Sequence, residues 1–159
     1  MKQVTGNLIT MAMGGEFTHI MHGCNCFNTM GGGIARTIRD WFPEAAVADN
    51  ETTRGDKSKL GLFTSADVVL NIKGKLVQFT VINAYTQYNM SRGEDVFEYE
   101  AFEHALRLFN RKYPGAKLGM PEIGMGLAGG DFERIYGIIN RVSEELNMDI
   151  TVVVYKPER

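Results

Sequence analysis

The chain is poor in cysteine and histidine, has no excess of charge of either sign, and has no long apolar run. Its two cysteines, Cys24 and Cys26, sit one residue apart among 159 residues. A disulfide between such near neighbours is strained, which removes a disulfide-stapled fold. Free cysteine is most often a small buried apolar group, so both thiols read as reduced side chains at a strand end. With three histidines and no second Cys/His pair in zinc spacing, no metal and no cofactor are expected. The formal net charge is −2, from 17 basic and 19 acidic residues, so no basic surplus exists to hold nucleic acid by bulk electrostatics. No apolar run approaches the roughly 20 residues that span a bilayer. The opening MKQVTGNLITMAMGGEF is too short and interrupted to read as a signal peptide, so no membrane partner and a cytoplasmic location are expected.

What is present suits one globular domain, residues 1–159, with 44% hydrophobic and 23% charged residues. No repeat, low-complexity tract or linker divides it. Residues 2–5 and 8–13 read as short extended pieces, broken at Gly6-Asn7 and Gly14-Gly15. Thr18–Cys24 reads as a strand. A helix over 33–41 carries Ile34, Ile38 and Trp41 about one turn apart. It stops at Phe42, because a residue before proline avoids the α region. Pro43 then opens a second helix, where its missing N–H costs nothing. Residues 51–59, ETTRGDKSK, read as a surface loop. Leu62–Ser65 reads as a short strand, and Val68–Ile72 with Leu76–Asn83 as a hairpin. The apolar run of its second arm suits a strand covered on both faces. Thr86–Asp95 reads as a polar loop. A helix over 96–112 follows, with Tyr99, Phe102, Leu106, Phe109 and Tyr113 on one stripe. Lys117–Met120 is a strand. A helix from Asp131 to Leu146 turns Ile135, Ile138, Ile139, Val142 and Leu146 to one side, and Ile150–Tyr155 is the last strand. Strands alternate with helices through the second half, so the class is α/β with a mixed, largely parallel sheet. Lys156–Arg159 is a polar tail.

Two stretches carry the chemistry. MPEIGMGLAGGDFERI, residues 120–135, runs from a strand end through Gly124, Gly126, Gly129 and Gly130 into a helix. A strand, a glycine-rich turn and a helix N-terminus make an anion site, because backbone N–H groups stand where no side chain blocks a phosphate. The alternative is a plain strand-to-helix turn rich in glycine. The second stretch is Gly31-Gly32-Gly33, again between a strand and a helix. Ligands of such sheets bind beyond the carboxyl ends of the strands, where both loops belong. Gly124-Met-Gly-Leu-Ala-Gly has no acidic residue about 20 positions on at the end of a following strand, and no Gly-Lys-Ser/Thr occurs. The ligand therefore reads as a nucleotide diphosphate held by backbone.

HGCNCFNTMGGGIAR, followed by WFPEA and later by MPEIGMGLAGGDFERI, resembles the two ligand loops of the macro domain family. VINAYTQY is similar to the segment between them in the branch described as ADP-ribose-1″-phosphate processing enzymes. The resemblance covers Lys2 to Tyr155. It implies a three-layer α/β/α sandwich whose sheet is mixed and mostly parallel, with about six strands. It also implies an ADP-ribose cleft. Asn7, Leu8 and Ile9 stand where many members have Gly-Asp-Ile, whose aspartate accepts the adenine amino group. Asn25 matches an asparagine facing the distal ribose. Gly31, Gly32, Gly33 and Ile34 match the loop along that ribose and the phosphates. Ile123, Gly124, Met125, Gly126, Leu127, Ala128, Gly129 and Gly130 match the diphosphate loop. Phe132 is placed to pack under the distal ribose, and Tyr155 against adenine.

The same resemblance makes His22 and Asp131 the candidate catalytic pair, with histidine suited to proton transfer near neutral pH. Read from the residues alone, His22 is equally a hydrogen-bonded histidine at a strand end, and Asp131 equally a helix N-cap. Relatives that cut ADP-ribose from glutamate use a lysine on the central segment and an aspartate after Gly-x-Gly-Leu. Here that segment is Asn83-Ala84-Tyr85-Thr86-Gln87, and Ala128 follows Leu127. The implied activity is a phosphatase releasing ADP-ribose and phosphate from ADP-ribose 1″-phosphate. The alternatives are removal of ADP-ribose from modified protein or nucleic acid, and a reader that binds without chemistry. A monomer is expected, with ADP-ribose, ADP-ribose 1″-phosphate and ADP-ribosylated macromolecules as candidate partners.

Overall fold

The computed structural model describes residues 1–90, 96–126 and 128–156. The apolar runs form six strands: β1 (Lys2–Gly6), β2 (His19–Cys24), β3 (Phe63–Ile72), β4 (Lys75–Tyr85), β5 (Lys117–Met120) and β6 (Asp149–Tyr155). They make one sheet in the order β1-β6-β5-β2-β4-β3. All pairs are parallel except β3 with β4, which form a hairpin at one edge. Its turn residues, Lys73 and Gly74, have φ of 51° and 84°, the geometry of a type I′ turn that matches strand twist.

The helices are α1 (Leu8–Met13), α2 (Gly33–Trp41), α3 (Pro43–Asn50), α4 (Tyr99–Lys112) and α5 (Phe132–Leu146). Alternate residues of each strand face opposite layers. Ile20, Val81 and Val153 meet Leu8, Ile38 and Ala45 of α1, α2 and α3. Met21, Ile82 and Val152 meet Phe102, Leu106, Ile135 and Ile139 of α4 and α5. The result is an α/β/α sandwich. The chain leaves β2 toward β4 and β3, and leaves β5 toward β6. Because β2 and β5 are neighbours, a crevice opens between their carboxyl ends, the usual ligand position in such sheets.

Three expectations change. Residues 8–13 are helical, not extended. Asn7 caps this helix by accepting the Thr10 N–H at 3.1 Å, and Leu8, Ile9 and Ala12 share its buried face. A short apolar run cannot distinguish helix from strand by periodicity. The pieces 62–65 and 68–72 belong to one ten-residue strand, β3, since Asp67 points outward and accepts a hydrogen bond from the Thr80 hydroxyl at 2.9 Å. Helix α4 starts at Tyr99 rather than 96. Phe97 bridges Gln87, and the Glu98 N–H donates to the Thr86 carbonyl at 2.7 Å, holding that segment extended. The part of the expected 86–95 loop from 91 to 95, and the tail beyond 156, lie outside the described residues.

Candidate functional site

The crevice is a cleft of about 540 Å³, a size that suits a nucleotide-scale ligand. One wall is the stretch after β2: Asn25, Gly31, Gly32, Gly33 and Ile34 all line it. The opposite wall is the stretch after β5, with Ile123, Gly124, Met125, Gly126 and Ala128. Tyr155 and Val153 close one end, while Thr29, Gln87 and Met90 lie toward the other, and Phe132 sits at the mouth of the second loop. Gly129 and Gly130 do not line the cleft. Leu127 lies outside the described residues.

The second loop builds its own scaffold. Ile123 donates to the Pro121 carbonyl, Met125 to Glu122, Gly129 to Gly126 and Gly130 to Gly124, at 2.7 to 3.3 Å. Among the described residues, the N–H groups of Gly124, Gly126 and Ala128 take no part in these turns. They are donors that a ligand in the cleft could satisfy. Across from them, the N-cap of α2 is Gly32, which offers no side-chain cap. The first N–H groups of a helix have no intrahelical partner, and here Gly33, Ile34 and Ala35 line the cleft. The two walls therefore oppose uncapped amides, and the helix dipole adds positive potential on one of them. Among the described lining residues there is no lysine or arginine.

The first loop is held from below. Asn25 shapes its turn, donating to the Thr29 hydroxyl at 2.8 Å and accepting the Phe27 N–H at 2.8 Å. Asn28, with φ 56°, accepts the Lys59 ammonium at 2.7 Å and the Thr52 hydroxyl at 3.0 Å. Lys59 also lies 5.1 Å above the Tyr85 ring, and the Tyr85 hydroxyl donates to Asp49 at 2.7 Å. Asp49 and Lys59 are both buried. Burial pushes the Asp49 carboxyl above its ordinary value, against the opposing pull of Tyr85 and Lys59. This polar network under the loop gives it a fixed floor. It is written in residues scattered over 28–85, which is why sequence spacing did not reveal it.

His22 stands off the cleft. It is fully buried, one face below the strand end. Its Nε2 lies 2.6 Å from Asn83 Oδ1, and Asn83 uses its own N–H groups on the Ala45 carbonyl and the Thr64 hydroxyl. Asn83 Oδ1 must then accept, so His22 carries its proton on Nε2. Its Nδ1 is 3.8 Å from the Cys24 sulfur. Burial lowers the imidazole pKa to about 4, with the Asn83 hydrogen bond opposing. Cys24 itself lines the cleft, but burial first, then nearby Asp49, raises its thiol well above the ordinary value, so it stays protonated and weakly nucleophilic.

Asp131 is the N-cap of α5, accepting the Arg134 N–H at 2.9 Å. Its own N–H donates to the Tyr99 hydroxyl at 3.0 Å, and the Arg134 guanidinium lies 3.8 Å over the Tyr99 ring. The start of α5 is thus tied to the start of α4. Asp131 does not line the cleft, although its neighbour Phe132 does. Asn7, Leu8 and Ile9 are not among the lining residues: Asn7 caps α1, directly after the Gly6 that pairs with Tyr155, and α1 turns Leu8 and Ile9 into the core. Thr29, Thr86, Met90 and Val153 line the cleft without having been anticipated. For Thr86 the signal would have been the parallel pairing of β4 with β2, which brings a third strand end to the crevice.

The glycines separate scaffold from ligand space. A methyl at Gly126 would meet no atom within 4 Å. Gly126→Ala is expected to leave the melting temperature nearly unchanged, because the added Cβ meets nothing, yet to weaken binding of a ligand in the cleft by roughly 10-fold. Calorimetric titration beside a thermal melt checks both parts.

Among the described residues no three His, Cys, Asp or Glu side chains are placed to hold a metal. No described helix is long and apolar enough to cross a membrane. No protein-family model matches the chain. The fold is that of macrodomains. The chain is 21% identical to the macrodomain of Mycobacterium tuberculosis DarG, covering 98% of both chains with a TM-score of 0.70. Against Thermosipho africanus DarTG in complex with ADP-ribose it is 18% identical, covering 90% of this chain and 39% of that one, with a TM-score of 0.64. In sequence it is 30% identical to the uncharacterized 17.5 kDa protein of the tk-vs intergenic region of Enterobacteria phage T4, over 98% of this chain and 97% of that one. The chain is therefore a macrodomain by fold and belongs to the same family as that phage protein.

Proposed function

We propose that the cleft binds ADP-ribose, with the diphosphate between the two glycine walls, and that it hydrolyses ADP-ribose 1″-phosphate to ADP-ribose and phosphate. The observation that carries the binding is the uncapped N-terminus of α2 opposite the unused amides of the second loop. Two such walls satisfy a diphosphate without a cationic side chain. Tyr155, 67% exposed at one end, offers a ring face to a base. Asn25, Thr29 and Gln87 surround the polar end, where the distal ribose and its phosphate belong. The structure of T. africanus DarTG with ADP-ribose, which shares the fold, agrees with this choice of ligand.

In the hydrolysis, a water oxygen bonds to phosphorus, the bond from phosphorus to the ribose oxygen breaks, and that oxygen leaves with a proton. Fixing the ligand by remote contacts orients the phosphate for this attack. Asp131, one residue before the cleft-lining Phe132, holds one carboxylate oxygen in the cap, which leaves the other for a water. The buried His22 contributes by supporting the strand end under Cys24 rather than by touching the ligand.

Asparagine caps as well as aspartate. Asp131→Asn is thus expected to keep stability and ADP-ribose affinity while lowering phosphate release by about 10²-fold. An unchanged rate would leave Asp131 as a cap alone. A second reading, binding without turnover, is favoured by the fact that neither His22 nor Asp131 lines the cleft. Phosphate release from ADP-ribose 1″-phosphate, measured beside release of ADP-ribose from modified protein and nucleic acid, separates phosphatase, ADP-ribosyl hydrolase and reader. Absence of saturable ADP-ribose binding would sink all three.

A further inference from the structure

The two edges of the sheet differ. β1 is five residues long and carries the Lys2 charge. β3 is ten residues long, with Asp67 as its one charge and no proline. Its register with β4 runs one-to-one from Phe63 with Ala84 to Ile72 with Lys75, so no bulge twists it away from a neighbour. The two-residue turn at Lys73 and Gly74 fixes where its main chain points. In such a hairpin the flanking pair, Ile72 with Lys75, exchanges both hydrogen bonds, so the even-numbered residues of β3 bond to β4. The N–H and C=O groups of Ser65, Asp67, Val69 and Asn71 therefore point outward, and among the described residues none meets a main-chain partner. The side chains of Asp67, Val69 and Asn71 stand on the face opposite Ala66 and Val68, which pack into the layer of α1, α2 and α3. With Leu76 and Gln78 of β4 they form an exposed strip, in which Val69 is 55% and Leu76 63% exposed.

We infer that this edge pairs with the same edge of a second copy of the chain, β3 against β3, antiparallel about a two-fold axis through Leu70. Charge selects the occupant and the register. Strands joined through these outward groups must match odd-numbered residues with odd. The axis through Leu70 does so, setting Val69 opposite the partner's Asn71 and Asp67 opposite the partner's Lys73, each twice by symmetry. An axis through Asp67 would bring the two Asp67 carboxylates together. An axis through Val69 would set Asp67 against Asn71, whose side chain already accepts the Gly74 N–H at 2.8 Å. Within one molecule Asp67 and Lys73 are too far apart to pair, roughly 20 Å along the strand. Neither belongs to an ion pair among the described residues. The Thr80 hydroxyl, donating to Asp67 at 2.9 Å, holds the carboxylate on the open face. Two copies joined this way form one sheet of twice the width, whose outer edges are the short β1 strands. β4 runs from Lys75 at the hairpin tip to Tyr85 beside the crevice, so the contact lies away from the cleft and both clefts stay open. The pairing does not depend on what the cleft binds, and it stands in place of the monomer expected from the sequence.

The test is sedimentation equilibrium of the full chain over a concentration series. The wild type is expected to dimerise. Asp67→Lys and Lys73→Asp each turn both attractions into repulsions and should weaken dimerisation at least ~10-fold. An equimolar mixture of the two single variants restores opposite charges across the contact, as does the double swap within one chain, and both should dimerise to within about 3-fold of wild type. Both positions are exposed, and aspartate tolerates the left-handed conformation of Lys73, φ 51°, so the variants should fold, which a thermal melt checks. Single variants that dimerise like wild type, or a mixture and a double swap no better than the singles, overturn the register through Leu70. Wild type that stays monomeric at every concentration overturns the pairing itself and leaves the edge to a different chain.

Discussion

Gly124→Ala is expected to lower the melting temperature by roughly 10 °C and to abolish ligand binding together with it. Gly124 has φ 76°, a region costly for any residue with a Cβ. The added methyl would stand 2.6 Å from Cε2 of Phe97, a buried ring that cannot swing away freely. Overpacking of this kind costs about 1–3 kcal/mol and the backbone strain about 1–2 kcal/mol more. For a chain of this length each kcal/mol shifts the melting temperature by about 2–4 °C. The damage also spreads along named contacts. Phe97 packs edge-on against Tyr99 at 5.2 Å, and the Tyr99 hydroxyl holds the Asp131 N–H. The Gly124 carbonyl accepts the Gly130 N–H at 2.7 Å, closing the loop. A scanning calorimetry melt reads the stability, and the contrast with Gly126→Ala, two residues away, shows whether fold and ligand space are separable. An alanine variant that melts within 2–3 °C of wild type would contradict the packing argument.

His22 is expected to make the protein acid-sensitive in a defined window. Its ordinary pKa is 6.5 and its folded value about 4, so the unfolded chain binds the extra proton first as pH falls. Stability from the neutral, buried imidazole is complete above pH 6.5. It declines as pH falls and is lost once pH passes below about 4. The difference corresponds to about 3 kcal/mol, since each pKa unit is 1.36 kcal/mol. Urea unfolding at several pH values, for wild type and His22→Gln, isolates the effect. Other titrating groups, including His19, whose pKa burial also lowers, are common to both proteins and cancel in the difference. The glutamine amide can still donate to Asn83, so the variant should fold. The expected result is a wild-type curve that falls more steeply between pH 6.5 and 4. Parallel curves would mean that His22 titrates as an exposed imidazole, and would return it to the list of groups free to act in the cleft.

The two glycine stretches were legible because their chemistry is local. Each lies between an apolar strand and an amphipathic helix, and backbone donors need no partner far away in sequence. The helices over 33–41 and 131–146 were legible for the same reason: apolar residues recur at helical spacing, and Pro43 marks a stop. Residues 8–13 were misread because six mostly apolar residues fit either period, and the deciding contact is the Asn7 cap on Thr10. His22 illustrates the sharper limit. A histidine at a strand end beside a ligand loop has the same sequence whether its ring faces the ligand or the core. The choice depends on which face of β2 points toward α3, and on Asn83 arriving from the neighbouring strand to accept its proton.

By itself, then, the sequence determined the layered α/β class, the two backbone-lined anion loops and the absence of a metal-ligand pattern, because each follows from composition or from residues within a turn or two. Only the tertiary structure decided that β2 and β5 are neighbours with their loops opposed across one cleft, that Asn7 and His22 lie off it, and that Glu122 lies on it. Those facts depend on strand order, on parallel register and on which face of each strand meets which helix layer. These are properties of contacts between residues far apart in the chain, 32 positions for β5 with β6 and more for the others, and no local pattern encodes them.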